Sequence, residues 1–228
     1  GKFNNYAKPI NASKAFQDKE KKLNDLKFNS AQGDAEVLFS YAMICCSGFS
    51  GEKDLVSARR YFFKAASKGH KESEIAYASM CFSGLGGEKN LPAAREFFKK
   101  SAAKGNQNSQ ARYAQMCFSG EGGKKDLKEA RKHFLKLADQ GYQCYQCTYG
   151  LLCFLGEGGK EDLVSARDYF FKAAVQENEE AQYLYASMCV KGEGGKKDIV
   201  AAFEYYEKAS KHGHVLASEE LKSLYHKI

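Results

Sequence analysis

Along residues 72–83, ESEIAYASMCFS, apolar side chains fall at Ile75, Ala78, Cys81 and Phe82, the three-to-four-residue spacing of one helical face. Gly84, Gly86 and Gly87 interrupt that stripe, as glycine does where a helix must end and the chain must turn. Asn90 then opens a second stripe, LPAAREFFKKSAAKG, with Pro92 in its first turn, where a missing N–H costs little. Asp54, Asp126, Asp162 and Asp198 hold the same opening position elsewhere, and their carboxylates suit the unpaired N–H groups of a helix start. The second stripe closes at Gly69, Gly105, Gly141 and Gly213, where a left-handed turn is expected. In the fourth unit Glu177-Asn178 stands there instead, and Asn178 is expected to supply the left-handed residue.

The pattern repeats. Cys45, Cys81, Cys117, Cys153 and Cys189 are each 36 residues apart, and five other columns keep step without insertion or deletion. They are Tyr41/77/113/149/185, Gly48/84/120/156/192, Gly51/87/123/159/195, Ala58/94/130/166/202 and the aromatic column Phe62/98/134/170 with Tyr206. A helical hairpin of this length cannot bury both apolar faces alone, so neighbours must stack. The fold expected is all-α: a right-handed solenoid of five helix-turn-helix units at 34–69, 70–105, 106–141, 142–177 and 178–213. Residues 12–31 are expected to form an N-terminal capping helix within the segment 1–33, and 214–228 a C-terminal one.

The units resemble Sel-like repeats, relatives of the tetratricopeptide repeats. The third unit reads SQARYAQMCFSGEGGKKD and then FLKLADQG; the fourth carries YGLLCFLGEGGKED and YFFKAAVQ. The likeness runs over about residues 30–228. Three departures stand out: tyrosine at Tyr77 and its equivalents where the family has Leu, glycine at Gly87 and its equivalents where it has Val, and cysteine where it has Tyr. The resemblance implies a superhelix whose first helices line a concave side. It points inward the positions two before, two after and five after the recurring tyrosine. The partner-binding candidates are therefore Phe39, Met43, Ile75, Ser79, Phe82, Asn108, Gln115, Phe118, Cys147, Leu151, Phe154 and Tyr183. Apolar anchors along such a groove would remove area from water against a peptide or partner helix, and Asn108 and Gln115 would bond its backbone. Phe82, Phe118 and Phe154 have a competing assignment as filler between repeats.

The cysteine column reads as packing. Thiols one repeat apart lie roughly 10 Å from each other, beyond the roughly 7 Å Cα separation that a disulfide bridges. Some family members pair cysteines eight residues apart, but Ala66 stands where such a partner would be. Free thiols point to a reducing, cytoplasmic compartment, or to the host cytosol for a secreted effector. Cys144 and Cys147 have CxxC spacing, which raises a zinc or redox switch as an alternative, yet no second CxxC accompanies them. The net charge of +7 is spread along the chain rather than run together. Rows at Lys53/89/125/197 and Arg59/95/131/167 leave weak nucleic-acid or acidic-surface binding as a further alternative. No apolar run reaches the length of a membrane span. The five histidines form no catalytic constellation with serines or carboxylates, and His212-Gly213-His214 is expected to serve the end of the last second helix. The expectation is thus a monomeric, non-enzymatic adaptor without cofactor or metal, binding a protein or peptide.

Overall fold

The computed structural model describes residues 33–49 and 51–226, with residues 21, 24–26, 28 and 29 as helix. The N-terminal cap expected at 12–31 lies largely outside the described residues. From residue 35 onward the described chain is helical and contains no strand. Its helices are α1 (Ala35–Ser47), α2 (Leu55–Ser67), α3 (Lys71–Ser83), α4 (Leu91–Ala103), α5 (Gln107–Ser119), α6 (Leu127–Asp139), α7 (Gln143–Leu155), α8 (Leu163–Val175), α9 (Glu179–Lys191), α10 (Ile199–Lys211) and α11 (Val215–Tyr225).

The chain divides into two compact units, residues 1–104 and 105–228. In the first, α1 to α4 pack each on the next; in the second, α5 to α11 do the same. Local chemistry sets each helix boundary. Asp54, Asp126, Asp162 and Asp198 accept the N–H three residues on, as do Asn90, Asn106 and Asn178. First helices end on left-handed glycines such as Gly84, φ 80°.

Two findings depart from the sequence expectation. The left-handed residue of the fourth unit is Glu177, φ 66°, whereas Asn178 is extended and caps α9. Glycine's absence is thus borne by a glutamate with a Cβ, and Asn178 is kept for the hydrogen bond. His214 does more than close the helix before it: its backbone N–H donates to the Ala209 carbonyl of α10 at 3.0 Å, as expected, and its ring also starts α11, Nδ1 accepting the Ala217 N–H at 3.2 Å. His70 does the same for α3, accepting from Ser73.

Each hairpin closes on small residues. Ala42, Ala78, Ala114 and Ala186 from the first helices, and Ala58, Ala94, Ala130, Ala166 and Ala202 from the second, are fully buried. Gly150 takes the place of such an alanine in α7; a Cβ there would stand 2.7 Å from the Phe170 ring. The aromatic column at Phe62, Phe98, Phe134, Phe170 and Tyr206 fills the space beside them. A polar column runs through the core as well. Gln146 and Gln182 donate to the carbonyls of Ala138 and Ala174, eight residues back, which satisfies the end of the preceding helix. In the second repeat Glu74 holds that position and pairs with Lys104 at 2.7 Å.

Candidate functional site: an apolar groove over first helices and the seam beneath it

The recurring cysteine lies in a seam between successive repeats. Cys81, Cys117, Cys153 and Cys189 are wholly buried, and all eight cysteines are free. Their carbonyls accept the N–H of the residue that caps the following helix, at 2.8–3.0 Å in all five repeats. Their sulfurs meet arginine. Arg131 of α6 reaches into the next repeat, donating to Cys153 Sγ at 3.2 Å and to the carbonyls of Lys160 and Glu157 at 3.0 and 3.4 Å. Arg167 treats Cys189, Lys196 and Glu193 in the same way, and Arg59 treats Cys81, Glu88 and Leu85. A guanidinium offers several donors in a fixed fork, so one side chain can tie a thiol and a loop together.

This geometry accounts for two of the departures from the Sel-like pattern together. A Cβ at Gly159 would lie 2.7 Å from Arg131 Nη1, and one at Gly195 2.8 Å from Arg167 Nη1. A valine there would displace the guanidinium, and a tyrosine in place of the buried cysteine would fill the space into which it donates. Glycine, cysteine and arginine therefore form one device. Arg59, Arg131 and Arg167 are half-buried and engaged with the fold, so the arginine row is not a free basic ladder. Tyr77 and Tyr185 stand beside the same sulfurs; burial, then the neighbouring thiol, pushes each hydroxyl up to about 12.

Above the seam, α5, α6 and α7 form an open groove of about 370 Å³, lined by Ala111, Gln115, Phe118, Phe134, Tyr145, Thr148, Leu151, Leu152, Leu155 and Glu157. Gln115, Phe118 and Leu151 are brought together there as sequence reasoning placed them. Phe118 is 37% exposed and Leu155 63%. No charged residue occurs in α7 and only Arg112 in α5, whereas α6 carries Lys128, Glu129, Arg131, Lys132, Lys136 and Asp139. Charge has been kept off the first helices around the groove. The charged groups at hand include Glu157, in the lining, Arg112, whose charge acts on lining residue Tyr145, and Lys125, whose Nζ sits 5.3 Å from the Phe118 ring centre.

The other candidates fall elsewhere. Met43, Ser79 and Asn108 are exposed; Ile75, Phe82 and Phe154 are half-buried. Phe39 stacks on His70 and Tyr183 on His214, each with ring centres 4.6 Å apart. Cys147, expected on the inner wall, is only 7% exposed and is part of the core. Burial, then the charge of Glu180 and the neighbouring Cys144, pushes its thiol up to about 12. A thiol held protonated is a poor nucleophile and a poor metal ligand, which weakens the switch alternative. Among the described residues no group of three or more His, Cys, Asp or Glu side chains could hold a metal ion. None of the described helices is long and apolar enough to cross a membrane.

Tyr145, Thr148, Leu155 and Glu157 were missed from the sequence, though a signal was present. Position 155 in its repeat is Ser47, Ser83 and Ser119 in the first three units, so Leu155 is an unprompted apolar residue. Position 145 is the small, buried Ser73, Ser109 and Ala181 in other units, and the bulk of Tyr145 has to emerge beside Phe134.

The Sel1 repeat model matches residues 35–70, 71–106, 107–142, 146–177 and 179–214. A search of curated proteins returned no match. Among solved structures, the chain is similar to c5321, a protective antigen of uropathogenic Escherichia coli strains displaying an SLR fold, at 28% identity and a TM-score of 0.68. That alignment covers 89% of this chain but only 44% of c5321. A Sel1 repeat protein from Oxalobacter formigenes shares the fold at a TM-score of 0.68 and 24% identity, over 95% of this chain and 88% of the other.

Proposed function

The chain belongs to the Sel1 repeat family, whose members generally act as non-enzymatic scaffolds for protein–protein interaction, and from that premise we propose that it is an adaptor gripping an apolar segment of a partner protein in the groove over α5 and α7. The observation that carries this reading is the coincidence of exposed Phe118 and Leu155 and half-buried Leu151 with two first helices almost free of charge. A soluble helix needs no such surface for its own fold, and large apolar side chains left in contact with water beside a recess are what a partner covers. Gln115 and Thr148 supply hydrogen-bonding groups at the groove floor for a peptide backbone or a partner side chain.

Within residues 105–228, exposed Asn108 and half-buried Phe154 and Tyr183 belong to the same inner surface in this reading; exposed Met43 and Ser79 and half-buried Phe39, Ile75 and Phe82 hold the corresponding positions on the first helices of residues 1–104. Cys147 supports the wall from within. The test uses phage-displayed twelve-residue peptides selected on the intact chain. Phe118→Ala and Leu151→Ala each remove about 1.5–3 kcal/mol of apolar contact, so affinity for the selected peptides falls at least about tenfold while the far-ultraviolet circular dichroism is unchanged. Selected peptides that bind both variants as tightly as the parent overturn the assignment.

A further inference from the structure

Residues 55–66 and 163–174 are the same twelve-residue segment, LVSAR-x-YFFKAA, apart from one position: Arg60 in α2 and Asp168 in α8. Both helices leave the same two apolar side chains in water. Val56 and Val164 are each 69% exposed, Phe63 is 45% and Phe171 41%, and the α8 stripe runs on to Val175 at 58%. Positions 56, 60 and 63, like 164, 168 and 171, fall on one side of a helix. Phe62 and Phe170 fill the core, whereas Phe63 rests one side on the Tyr77 and Phe97 rings and Phe171 on those of Tyr185 and Tyr205, each leaving its outer side in water. The other second helices break the pair, with Pro92 and Lys99 in α4, Lys128 and Leu135 in α6, and Val200 and Glu207 in α10. Beside the α8 stripe lies a shallow hollow of about 260 Å³ lined by Val164, Arg167, Asp168, Phe171, Tyr185 and Gly194.

We propose that these stripes are complementary halves of one self-association contact: α2 of one copy packs antiparallel on α8 of a second copy. In that register Val56 meets Phe171, Phe63 meets Val164, and Arg60 faces Asp168. Large side chains oppose small ones on both sides of the ion pair, and the helix dipoles run in opposite senses. The one differing position decides the pairing. An α2–α2 contact sets Arg60 against Arg60 with Lys64 nearby, and an α8–α8 contact sets Asp168 against Asp168; both are disfavoured by like charge. Lys172, which holds Asp168 at 2.7 Å in the free chain, is an exposed neighbour on the same helix and is readily exchanged. A contact between two different surfaces leaves one α2 stripe and one α8 stripe of each pair open to further copies. With two anchors a side the area is small and the association transient. This contact is independent of the groove over α5 and α7, and it departs from the expectation of a monomer.

Sedimentation velocity on the intact chain, over about 10–500 µM, tests the contact. The weight-average mass is expected to rise with concentration above the 25.4 kDa of one chain. Arg60→Asp and Asp168→Arg each weaken association at least about tenfold, and the two together restore it to within about threefold. Both sites are exposed, so neither variant threatens the fold; Phe171→Ser, checked by circular dichroism, also weakens association. A constant single-chain mass, or association indifferent to both charge reversals, overturns the proposal.

Discussion

Replacing Arg131 by alanine tests whether arginine is what ties successive repeats together. The side chain makes one well-placed charged hydrogen bond, to the Lys160 carbonyl at 3.0 Å, a longer one to Glu157 at 3.4 Å, and a contact to the weak acceptor Cys153 Sγ at 3.2 Å. A hydrogen bond involving a charged donor contributes about 1.5–3 kcal/mol net, and the other two add less, so half-burial included the loss is about 2–3 kcal/mol. In a repeat protein such a loss acts on the interface between neighbours. The urea transition followed at 222 nm should therefore move to lower midpoint and also broaden, as the repeats on either side of Arg131 unfold separately. Gly159 supplies the second arm. Valine there puts a Cβ 2.7 Å from Arg131 Nη1, so Gly159→Val should cost at least about 2 kcal/mol in the parent and clearly less in Arg131→Ala. Native-like stability for Arg131→Ala, or equal costs of Gly159→Val in both backgrounds, would refute the shared role of glycine, cysteine and arginine in the seam.

Three further outcomes follow from the helix ends and the core. Glu177 holds a left-handed backbone at φ 66°, which costs a non-glycine residue about 1–2 kcal/mol, so Glu177→Gly should raise the thermal midpoint, and a lower midpoint would contradict this. Tyr142 precedes α7 without a side-chain cap, whereas Asn106 and Asn178 cap the flanking first helices; Tyr142→Asn should add about 1 kcal/mol, less whatever is lost with its 2.6 Å bond to Gln107, as read by urea denaturation. His133 is buried edge-on to Tyr113, with Nε2 on Glu129. Burial pushes its pKa below the usual imidazole value, against the pull of Glu129. The folded chain therefore resists taking up that proton, and stability present above about pH 6.5 is lost as pH falls through the lowered folded value. The drop in midpoint between pH 7.5 and 5.5 should be smaller in His133→Phe than in the parent, and an equal drop would show that His133 is not its source.

The period itself was the most legible feature, because each glycine, capping aspartate and small core residue answers to a local rule of backbone or packing. The burial of the cysteines was legible for the same reason: three residues after an alanine on the buried face, they had to turn inward. Their partner was not. Arg131 and Cys153 are 22 residues apart in sequence and belong to different repeats, and an arginine row on a helix reads as surface until the crossing of the helices is known. His70 and His214 were opaque too, since histidine at a helix start gives no sign of which neighbour it serves. In the groove, Gln115, Phe118 and Leu151 were found from register. The same register set Cys147 on the wall, whereas its small side chain is buried in the core. Leu155 shows where the register argument runs short: the informative residue was the one that broke its own column.

Amide hydrogen exchange on the intact chain, with and without a selected peptide, bears most directly on the account. Binding in the groove slows exchange in α5 and α7, around Gln115 to Phe118 and Leu151 to Leu155, and leaves α8 and α10 at their free rates. Slowing confined to the second helices, with α5 and α7 unchanged, contradicts it.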